Sequence, residues 1–307
     1  MPDEELEQFK TDINLTEFAA SRGYGLDNRE SSRNSAVMRH PDGDKIIVAK
    51  NEANANWIFF SVRNDRDNGT IIDFVQQRGG GSLGRVRQKL RDWIGSPRPA
   101  LPIASYVLDL LPITRDRAAV MAEWERARAC FALPYLTARG IGTVTLVLPR
   151  FAGCVRVDAR NNALFPHFDR QGLCGFEIKN KDFTGFAAGG TKGLWYSASA
   201  ATDQWLVLVE SAIDAYSFHR LHGWENARYM STGGALNPQQ PELLRGAIEK
   251  LPDGAGVILG FDRDEGGDKL ADEVKKLAPA GRNLRRMVPD AGTGKDWNEM
   301  LQNRLGG

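Results

Sequence analysis

The sequence contains few cysteines and few histidines, and its net charge is close to zero. Its 307 residues include three cysteines and four histidines, and the formal net charge is +1. The odd number and wide spacing of Cys130, Cys154 and Cys174 do not suit a disulfide framework and predict reduced, buried thiols in a cytoplasmic protein. Because the overall charge is close to zero, it does not indicate any class of binding partner. A surface that binds nucleic acid would have to be a local basic patch.

Long apolar runs are also absent. No segment approaches the ~20 apolar residues of a membrane span, so no membrane association is expected. The first residues, MPDEELEQFK, are acidic and polar, which is unlike a signal peptide. What is present is the composition of an ordinary globular protein, 42% hydrophobic and 26% charged. The length suits two domains of ~100–200 residues each.

The N-terminal part of the chain mixes helical and strand patterns. Apolar residues near helical spacing predict a helix over 4–22. Further patterns predict strands over 45–50 and 57–62 and helices over 69–80 and 81–95. The stretch SPRPALP (96–102) breaks any helix and predicts a linker. The pattern restarts near residue 117 with one or two helices, followed by a hairpin over 162–180 that turns at DRQG.

The last third of the chain alternates strands with helices. The apolar run QWLVLVE (204–210) predicts a strand that is buried on both faces. Later strands are predicted at ARYMST, GAGVILGFDRD and NLRRMVP, with helices at SAIDAYSFHRLHG, QPELLRGAIEKL and GGDKLADEVKKLA between them. This alternation predicts a parallel sheet with helices on both faces.

Acidic residues follow the predicted strands. Glu210 ends one strand, Asp262 and Asp264 end another, and Asp296 follows the last one. The carboxyl ends of parallel strands meet at one edge of a sheet, and residues two apart in an extended segment point to the same side. Carboxylates gathered there repel one another unless a cation joins them, and hard oxygen donors suit Mg²⁺ or Mn²⁺. The plain alternative is that these aspartates simply favour turns.

These segments resemble a known family. LVLVESAIDAYSF, MSTGGAL, VILGFDRDEGGDKLADEV and GKDWNEML are similar to the Toprim domain of DnaG-type bacterial primases. The resemblance implies that Glu210, Asp262 and Asp264 are catalytic and hold magnesium, with Asp296 as a further ligand. The family's last segment usually reads G-x-D-P-D, whereas Asn298 stands here at the second acid. An amide oxygen can ligate magnesium, but it brings no charge.

The resemblance extends upstream of these motifs. YLTARGI, ALFPHFDRQGLCGFEIKN and GTKGLW are similar to the basic subdomain that precedes Toprim in these primases, where basic side chains hold template and nucleotide. Carried over to this sequence, the nucleotide- or nucleic-acid-binding positions are Arg160, Lys179, Lys181, Lys192 and Lys295. A predicted helix near the N-terminus adds a basic face made of Arg85, Arg87, Lys89 and Arg91, for which an ordinary exposed helix face is the alternative.

The N-terminal module is similar in layout to the zinc ribbon of the same primases. The positions that match the family's zinc ligands are Val37, His40, Val62 and Asp65. Since only one of the four is a usual ligand and a structural zinc site needs four N or S donors, no zinc is expected.

The resemblance implies an α/β fold with four parts. They are a zinc-ribbon-like α+β module without zinc (1–95), a linker (96–116), a basic α+β subdomain (117–200) and a C-terminal, Rossmann-like Toprim domain (201–307). The chain stops just after the Toprim motifs, without the helical and helicase-binding domains of family primases. It therefore resembles the compact primase-like Toprim proteins of plasmids, phages and integrative elements, and a bacterial cytoplasmic location is expected.

Several functions remain open at this stage. The leading hypothesis is a magnesium-dependent nucleotidyltransferase that joins nucleoside triphosphates into oligoribonucleotides on single-stranded DNA. The second is Toprim-type DNA nicking or cleavage, although the chain shows neither a recognisable tyrosine nucleophile nor a G-x-x-x-x-G-K-[ST] loop. The third is a catalytically inactive nucleic-acid-binding or regulatory protein of a mobile element. A replication or mobilisation protein is the expected protein partner.

Overall fold

The structure is a computed structural model of the chain. It describes residues 3–51, 54–62, 67–97, 101–112, 114–181 and 183–306. The chain divides into two compact units, Met1–Thr114 and Arg115–Gly307, which are described separately. The four-part division drawn from the sequence stays a prediction.

The first unit is built on an antiparallel sheet. Its strands are β1 (Gly25–Leu26), β2 (Ser35–Arg39), β3 (Lys45–Lys50), β4 (Trp57–Ser61) and β5 (Asn68–Thr70), paired in chain order. Its helices are α1 (Glu4–Asp12), α2 (Leu15–Ser21), α3 (Ile71–Gly79) and α4 (Leu83–Gly95), and a short 3₁₀ turn spans Ile103–Ser105. The predicted strands at 45–50 and 57–62 and the helices near 69–80 and 81–95 are confirmed.

The helix predicted over 4–22 is in fact two helices. The side-chain oxygen of Asn14 accepts hydrogen bonds from the backbone N–H groups of Thr16 and Glu17, at 3.0 and 3.2 Å. This cap starts α2 afresh, because it satisfies N–H groups that a continuous helix would bond internally. The apolar spacing continues across the break, and the sequence pattern alone therefore did not reveal it.

One guanidinium ties together the loops of the first unit. Arg78 donates to both carboxylate oxygens of Asp67, at 2.9 and 2.6 Å, and to Asp44, at 2.8 Å. It also donates to the Tyr24 hydroxyl and lies over the ring of Phe74. Charge-assisted bonds of this kind are stronger than neutral ones, so Arg78 is expected to be the main polar cross-link of this unit.

The second unit begins with another antiparallel sheet. Its strands, in the order β10-β9-β8-β7-β6, are β6 (Arg128–Ala129), β7 (Arg156–Val157), β8 (Ala163–Asp169), β9 (Gly172–Lys179) and β10 (Thr184–Phe186). Its helices are α5 (Arg117–Arg126), α6 (Pro134–Ala138) and α7 (Thr143–Leu146). The hairpin predicted over 162–180 is confirmed as β8 and β9. All three cysteines lie in this unit as buried, free thiols.

The third sheet is mostly parallel, as the sequence predicted. Its strands are β11 (Trp195–Tyr196), β12 (Trp205–Val209), β13 (Ala227–Ser231), β14 (Gly256–Leu259) and β15 (Asn283–Arg286), in the order β11-β13-β12-β14-β15. Only β11 runs antiparallel to its neighbour. The helices are α8 (Ala212–His222), α9 (Gln240–Glu249), α10 (Glu265–Leu277) and α11 (Trp297–Gly306).

Helices cover both faces of this sheet. Successive side chains of a strand point to opposite faces. Val207 and Val209 accordingly belong to a core that includes residues of α8 and α11. Leu206 and Leu208 belong to a separate core with residues of α9 and α10. The α/β fold class and the C-terminal parallel sheet are therefore confirmed. Within the described residues, no helix has both the length and the apolarity to cross a membrane.

Candidate functional site at the carboxyl edge of the parallel sheet

Two neighbouring strands bring the first acidic residues together. β12 and β14 pair in parallel, with Leu208 opposite Leu259. Glu210 follows the end of the first strand, and Asp262 follows the end of the second. The backbone oxygen of Glu210 also accepts from the N–H groups of Gly233 and Gly234, at 2.9 and 3.2 Å, which fixes the loop after β13 against this edge.

Backbone contacts hold the segment of Asp296 at the same edge. The N–H of Arg263 donates to the backbone oxygen of Lys295 at 2.7 Å. The indole of Trp297 donates to the backbone oxygen of Gly260 at 2.6 Å. Asp296 lies between these two anchors in sequence. The distant GKDWN motif is therefore held beside the residues that follow β14.

Asp262 has the most strongly shifted pKa among the acids at this edge of the sheet. Its side chain is only 8% exposed, and its Oδ1 has no hydrogen-bond partner among the described residues. Burial, and then the charges of Asp214, Glu210, Asp296 and Asp264, raise its pKa to about 9. Without a counter-charge, Asp262 is thus protonated at neutral pH. The carboxylates predicted to meet do interact, and a set of this kind is stabilised by a bound cation.

Asp214 belongs to this cluster but was missed in the sequence. It lies in the first turn of α8, four residues after Glu210, and is buried. Burial and then the charge of Asp296 raise its pKa to about 6. Ser211 donates to its carboxylate at 2.6 Å. The short spacing E-x-x-x-D was the available signal, but an acid in the first turn of a helix also has a plain stabilising role.

Two of the predicted acids also cap helices. Asp264 accepts through Oδ1 from the N–H of Gly267 at 2.8 Å, at the start of α10. Asp296 accepts through Oδ1 from the N–H of Glu299 at 2.7 Å, at the start of α11. A cap of this kind fixes the carboxylate while occupying one of its oxygens. The same residues are therefore held in place by the helices that they begin.

Asn298 does not face the acidic cluster through its side chain. Its Oδ1 accepts from Arg139 at 2.9 Å, and its Nδ2 donates to the backbone oxygen of Arg139 and to Ser217. In this arrangement the amide oxygen is bonded to a guanidinium, and a magnesium-ligand role for Asn298 stays a prediction. Asn298 instead joins α11 to α8 and to the end of α6.

The donor set suits magnesium in its chemistry. Within the described parts of the chain, no three His, Cys, Asp or Glu side chains converge closely enough to form a metal cage. Magnesium commonly binds through one or two carboxylates and completes its shell with water and substrate phosphates, so a cage is not required. The all-carboxylate composition and the buried, unpartnered oxygen of Asp262 fit such an ion.

The basic residues predicted around the site differ in accessibility. Arg160, Lys181 and Lys295 have exposed side chains. Lys192 donates from Nζ to the backbone oxygens of Gly233 and Ala235, and so lies against the loop that contacts Glu210.

Lys179 is different, because it is largely buried. Its Nζ lies 2.7 Å from Oε2 of Glu177, and only 14% of its side chain is exposed. A direct phosphate contact, as the resemblance implies, would require this ion pair to open.

An arginine-lined cleft was not predicted. It has a volume of about 540 Å³ and lies in the second unit, where Thr191 beside Lys192 forms part of its wall. Arg115, Arg117 and Arg170 line it, and Arg117 makes a bidentate ion pair with Asp169 at 2.9 Å. These arginines are scattered in the sequence, so only the fold reveals that they share a cleft.

The basic face of α4 is partly neutralised within its own unit. Arg87 pairs with Asp3, and Arg91 pairs with Glu5 at 2.6 Å. Lys89 lines a cleft of about 360 Å³, and Arg85 is exposed. Two of the four predicted nucleic-acid contacts therefore have acidic partners on or beside α1.

The positions that match the family's zinc ligands do not gather donors. Val37 is buried in β2, and Val62 is exposed. His40 pairs through Nδ1 with Asp42 at 2.8 Å. Asp65 lies outside the described residues. The absence of zinc stays a prediction.

The fold and the site define an α/β unit with an acidic cluster at the carboxyl edge of a parallel sheet. Residues 207–301 match the family model described as Toprim-like, so the chain carries a Toprim-like domain. Residues 134–203 match a model described as a protein of unknown function (DUF3991). The resemblance to Toprim proteins drawn from the sequence is thereby confirmed.

Solved structures of primases are similar to the chain. The primase fragment of the bacteriophage T7 primase-helicase protein is 16% identical, with 92% of this chain and 97% of that chain covered and a TM-score of 0.44. The RNA polymerase domain of Mycobacterium tuberculosis primase DnaG is 19% identical, with 61% and 67% covered and a TM-score of 0.30. These similarities are too distant to transfer an activity. No curated protein matches the chain.

Proposed function

We propose that this protein is a primase-like nucleotidyltransferase that joins ribonucleotides on single-stranded DNA and requires Mg²⁺ or Mn²⁺. The observation that carries the proposal is Asp262, whose Oδ1 has no partner in the described part of the chain and whose pKa is raised by burial and by four neighbouring carboxylates. Such an arrangement is costly for a fold unless a cation compensates it. The match to a Toprim-like model adds support.

The acidic residues have distinct roles in this proposal. Glu210, Asp262 and Asp264 would hold the ion, with Asp296 as a further ligand. When bound, the ion neutralises the charge that develops on phosphate oxygens during phosphoryl transfer. Asp264 and Asp296 present their carboxylates from helix starts, and this fixes their direction before substrate arrives. Asp214 is buried, and its negative charge adds to the potential that favours a cation.

Basic residues would position the phosphates of nucleotide and template. Lys192, Lys181, Lys295 and Arg160 are the predicted contacts. The cleft beside Thr191 adds Arg115, Arg117 and Arg170, of which the last two pair with Asp169 and Glu242. Contacts of this type bind the sugar–phosphate backbone without reading sequence. We therefore propose a template contact that weakens with added salt. A replication or mobilisation protein remains the proposed recruiting partner.

A priming assay tests the proposal. The intact protein is incubated with single-stranded DNA, labelled ribonucleotides and Mg²⁺ or Mn²⁺, beside Asp262→Asn. The matched control is Asp253→Asn, which changes an exposed turn residue of the same unit. Oligoribonucleotides made by the intact protein and the control, but not by Asp262→Asn, are the expected result.

Other products would identify the alternatives. Nicked or cleaved DNA in place of oligoribonucleotides would assign the site to DNA cleavage. Retention of DNA on a filter with neither product would assign the chain to a catalytically inactive binding protein. Equal synthesis by Asp262→Asn and the intact protein would exclude the acidic cluster as the centre of the reaction.

A further inference from the structure

A buried histidine lies next to the acidic cluster and takes no part in the proposed reaction. His167, on β8, is fully buried. Its Nδ1 lies 2.8 Å from the backbone oxygen of Gly193, and its Nε2 lies 3.1 Å from Oε1 of Glu177. Both partners accept hydrogen bonds, so each ring nitrogen of His167 faces an acceptor.

Glu177 joins this histidine to Lys179. Its Oε2 lies 2.7 Å from the ammonium of Lys179, so each carboxylate oxygen faces one side-chain nitrogen. Burial opposes ionisation of Glu177, but the charge of Lys179 and the hydrogen bond from His167 outweigh it and lower its pKa to about 2. The three side chains form a buried, hydrogen-bonded chain, which we call the His–Glu–Lys triad.

The triad lies against the loop that contacts Glu210. A side-chain carbon at Gly233, whose φ is +66°, would lie 2.8 Å from Cε1 of His167, so only glycine fits there. The N–H of Gly233 donates to the backbone oxygen of Glu210. At the other end of the triad, burial lowers the pKa of Lys179, but Glu177 and, to a smaller extent, the negative charge of Asp214 raise it. The positive charge of Lys179 thus interacts with Asp214 of the acidic cluster.

We propose that Lys179 is an internal counter-cation of the acidic cluster, held in position by Glu177 and His167, and that it limits how tightly the cluster binds a divalent cation. This role differs from the direct phosphate contact implied by the resemblance. An ammonium that is buried and paired within the chain is poorly placed to meet a substrate, but its charge reaches nearby carboxylates across a medium of low dielectric constant. The consequence for cation affinity rests on the proposed function, whereas the charge link to Asp214 does not.

Metal titration tests whether Lys179 limits the affinity of the cluster for a divalent cation. Calorimetry with MnCl₂ is carried out on the full chain, on Lys179→Met and on Lys179→Gln, which keeps a polar end group without the charge. The control is Lys250→Met, which removes an exposed lysine at the C-terminal end of α9. Loss of one nearby positive charge is expected to tighten Mn²⁺ binding by roughly tenfold in both Lys179 variants and to leave the control unchanged. A damaged fold would weaken binding, so a tighter complex cannot arise from a merely structural role.

A double-mutant cycle without metal tests whether the charges of Lys179 and Asp214 stabilise each other. The free energies of unfolding of Lys179→Gln, Asp214→Asn and the double variant are measured in EDTA. Because the two charges stabilise each other, the double variant is expected to lose less than the sum of the two single losses. Strict additivity, or Mn²⁺ binding in the Lys179 variants no tighter than in the intact protein, would overturn the inference. If the intact protein binds no Mn²⁺, the proposed function fails, and the cycle alone then decides the inference.

Discussion

Replacing Asp262 by asparagine is expected to remove most of the pH dependence of stability from the second unit in metal-free solution. Burial and neighbouring carboxylates raise the pKa of this residue to about 9 in the folded chain. In the unfolded chain an aspartate titrates near a pKa of ~3.9. Between these values the folded state holds a proton that the unfolded state has lost. Stability therefore falls as pH rises, and the decrease ends only above the folded pKa.

The size of the pH dependence follows from the single proton that the folded state holds on Asp262 and the unfolded state does not. Each pH unit in this window lowers the free energy of unfolding by about 1.4 kcal/mol. Asp214, with a pKa of about 6, contributes to the same decrease at lower pH. The range from about pH 6.5 to about 8.5 therefore isolates Asp262, and the intact protein should lose about 2–3 kcal/mol across it. Asparagine cannot ionise, so Asp262→Asn should lose far less.

Urea unfolding in EDTA measures this difference. Pulse-labelling hydrogen exchange in peptides from β12 and β14 restricts the readout to the second unit. Asp253→Asn is the matched control and should keep the slope of the intact protein. Saturating Mg²⁺ should flatten the slope of the intact protein, because an ion that binds the carboxylate displaces the proton. The reasoning is refuted if Asp262→Asn and the intact protein show the same slope in EDTA.

Three further substitutions give distinct expectations. Asn298→Asp should cost about 2–3 kcal/mol in urea unfolding and should not tighten Mn²⁺ binding by calorimetry, because the new oxygen cannot donate the two hydrogen bonds of the amide. Gly267→Ala should cost about 1–3 kcal/mol, since its Cβ would lie 2.2 Å from the backbone oxygen of Asp262, whereas Gly266→Ala should cost little by the same measurement. Arg78→Met should lower the stability of the first unit by about 2 kcal/mol in thermal unfolding, because two partly buried carboxylates lose their partner; an unchanged transition would contradict this.

The sequence alone was sufficient to predict the parallel sheet and the acids at its edge. An apolar run that ends in Glu210 and an apolar run that ends in the D-x-D of Asp262 and Asp264 are local patterns. In a parallel sheet the ends of such strands must lie at one edge, whatever the remaining contacts are. The Toprim resemblance depended on the same short segments, and the family match covers them.

The tertiary structure decided how each charge is used. Asp214 and Lys179 look in the sequence like ordinary charges of a helix and a strand, yet one is buried in the acidic cluster and the other is held in an internal ion pair. Asn298 looked like a weakened ligand and proves to be a link between helices. Periodicity shows which face of an element is apolar, because that depends on local geometry. The protonation and accessibility of a charge depend instead on residues far away in the chain, which only packing brings together.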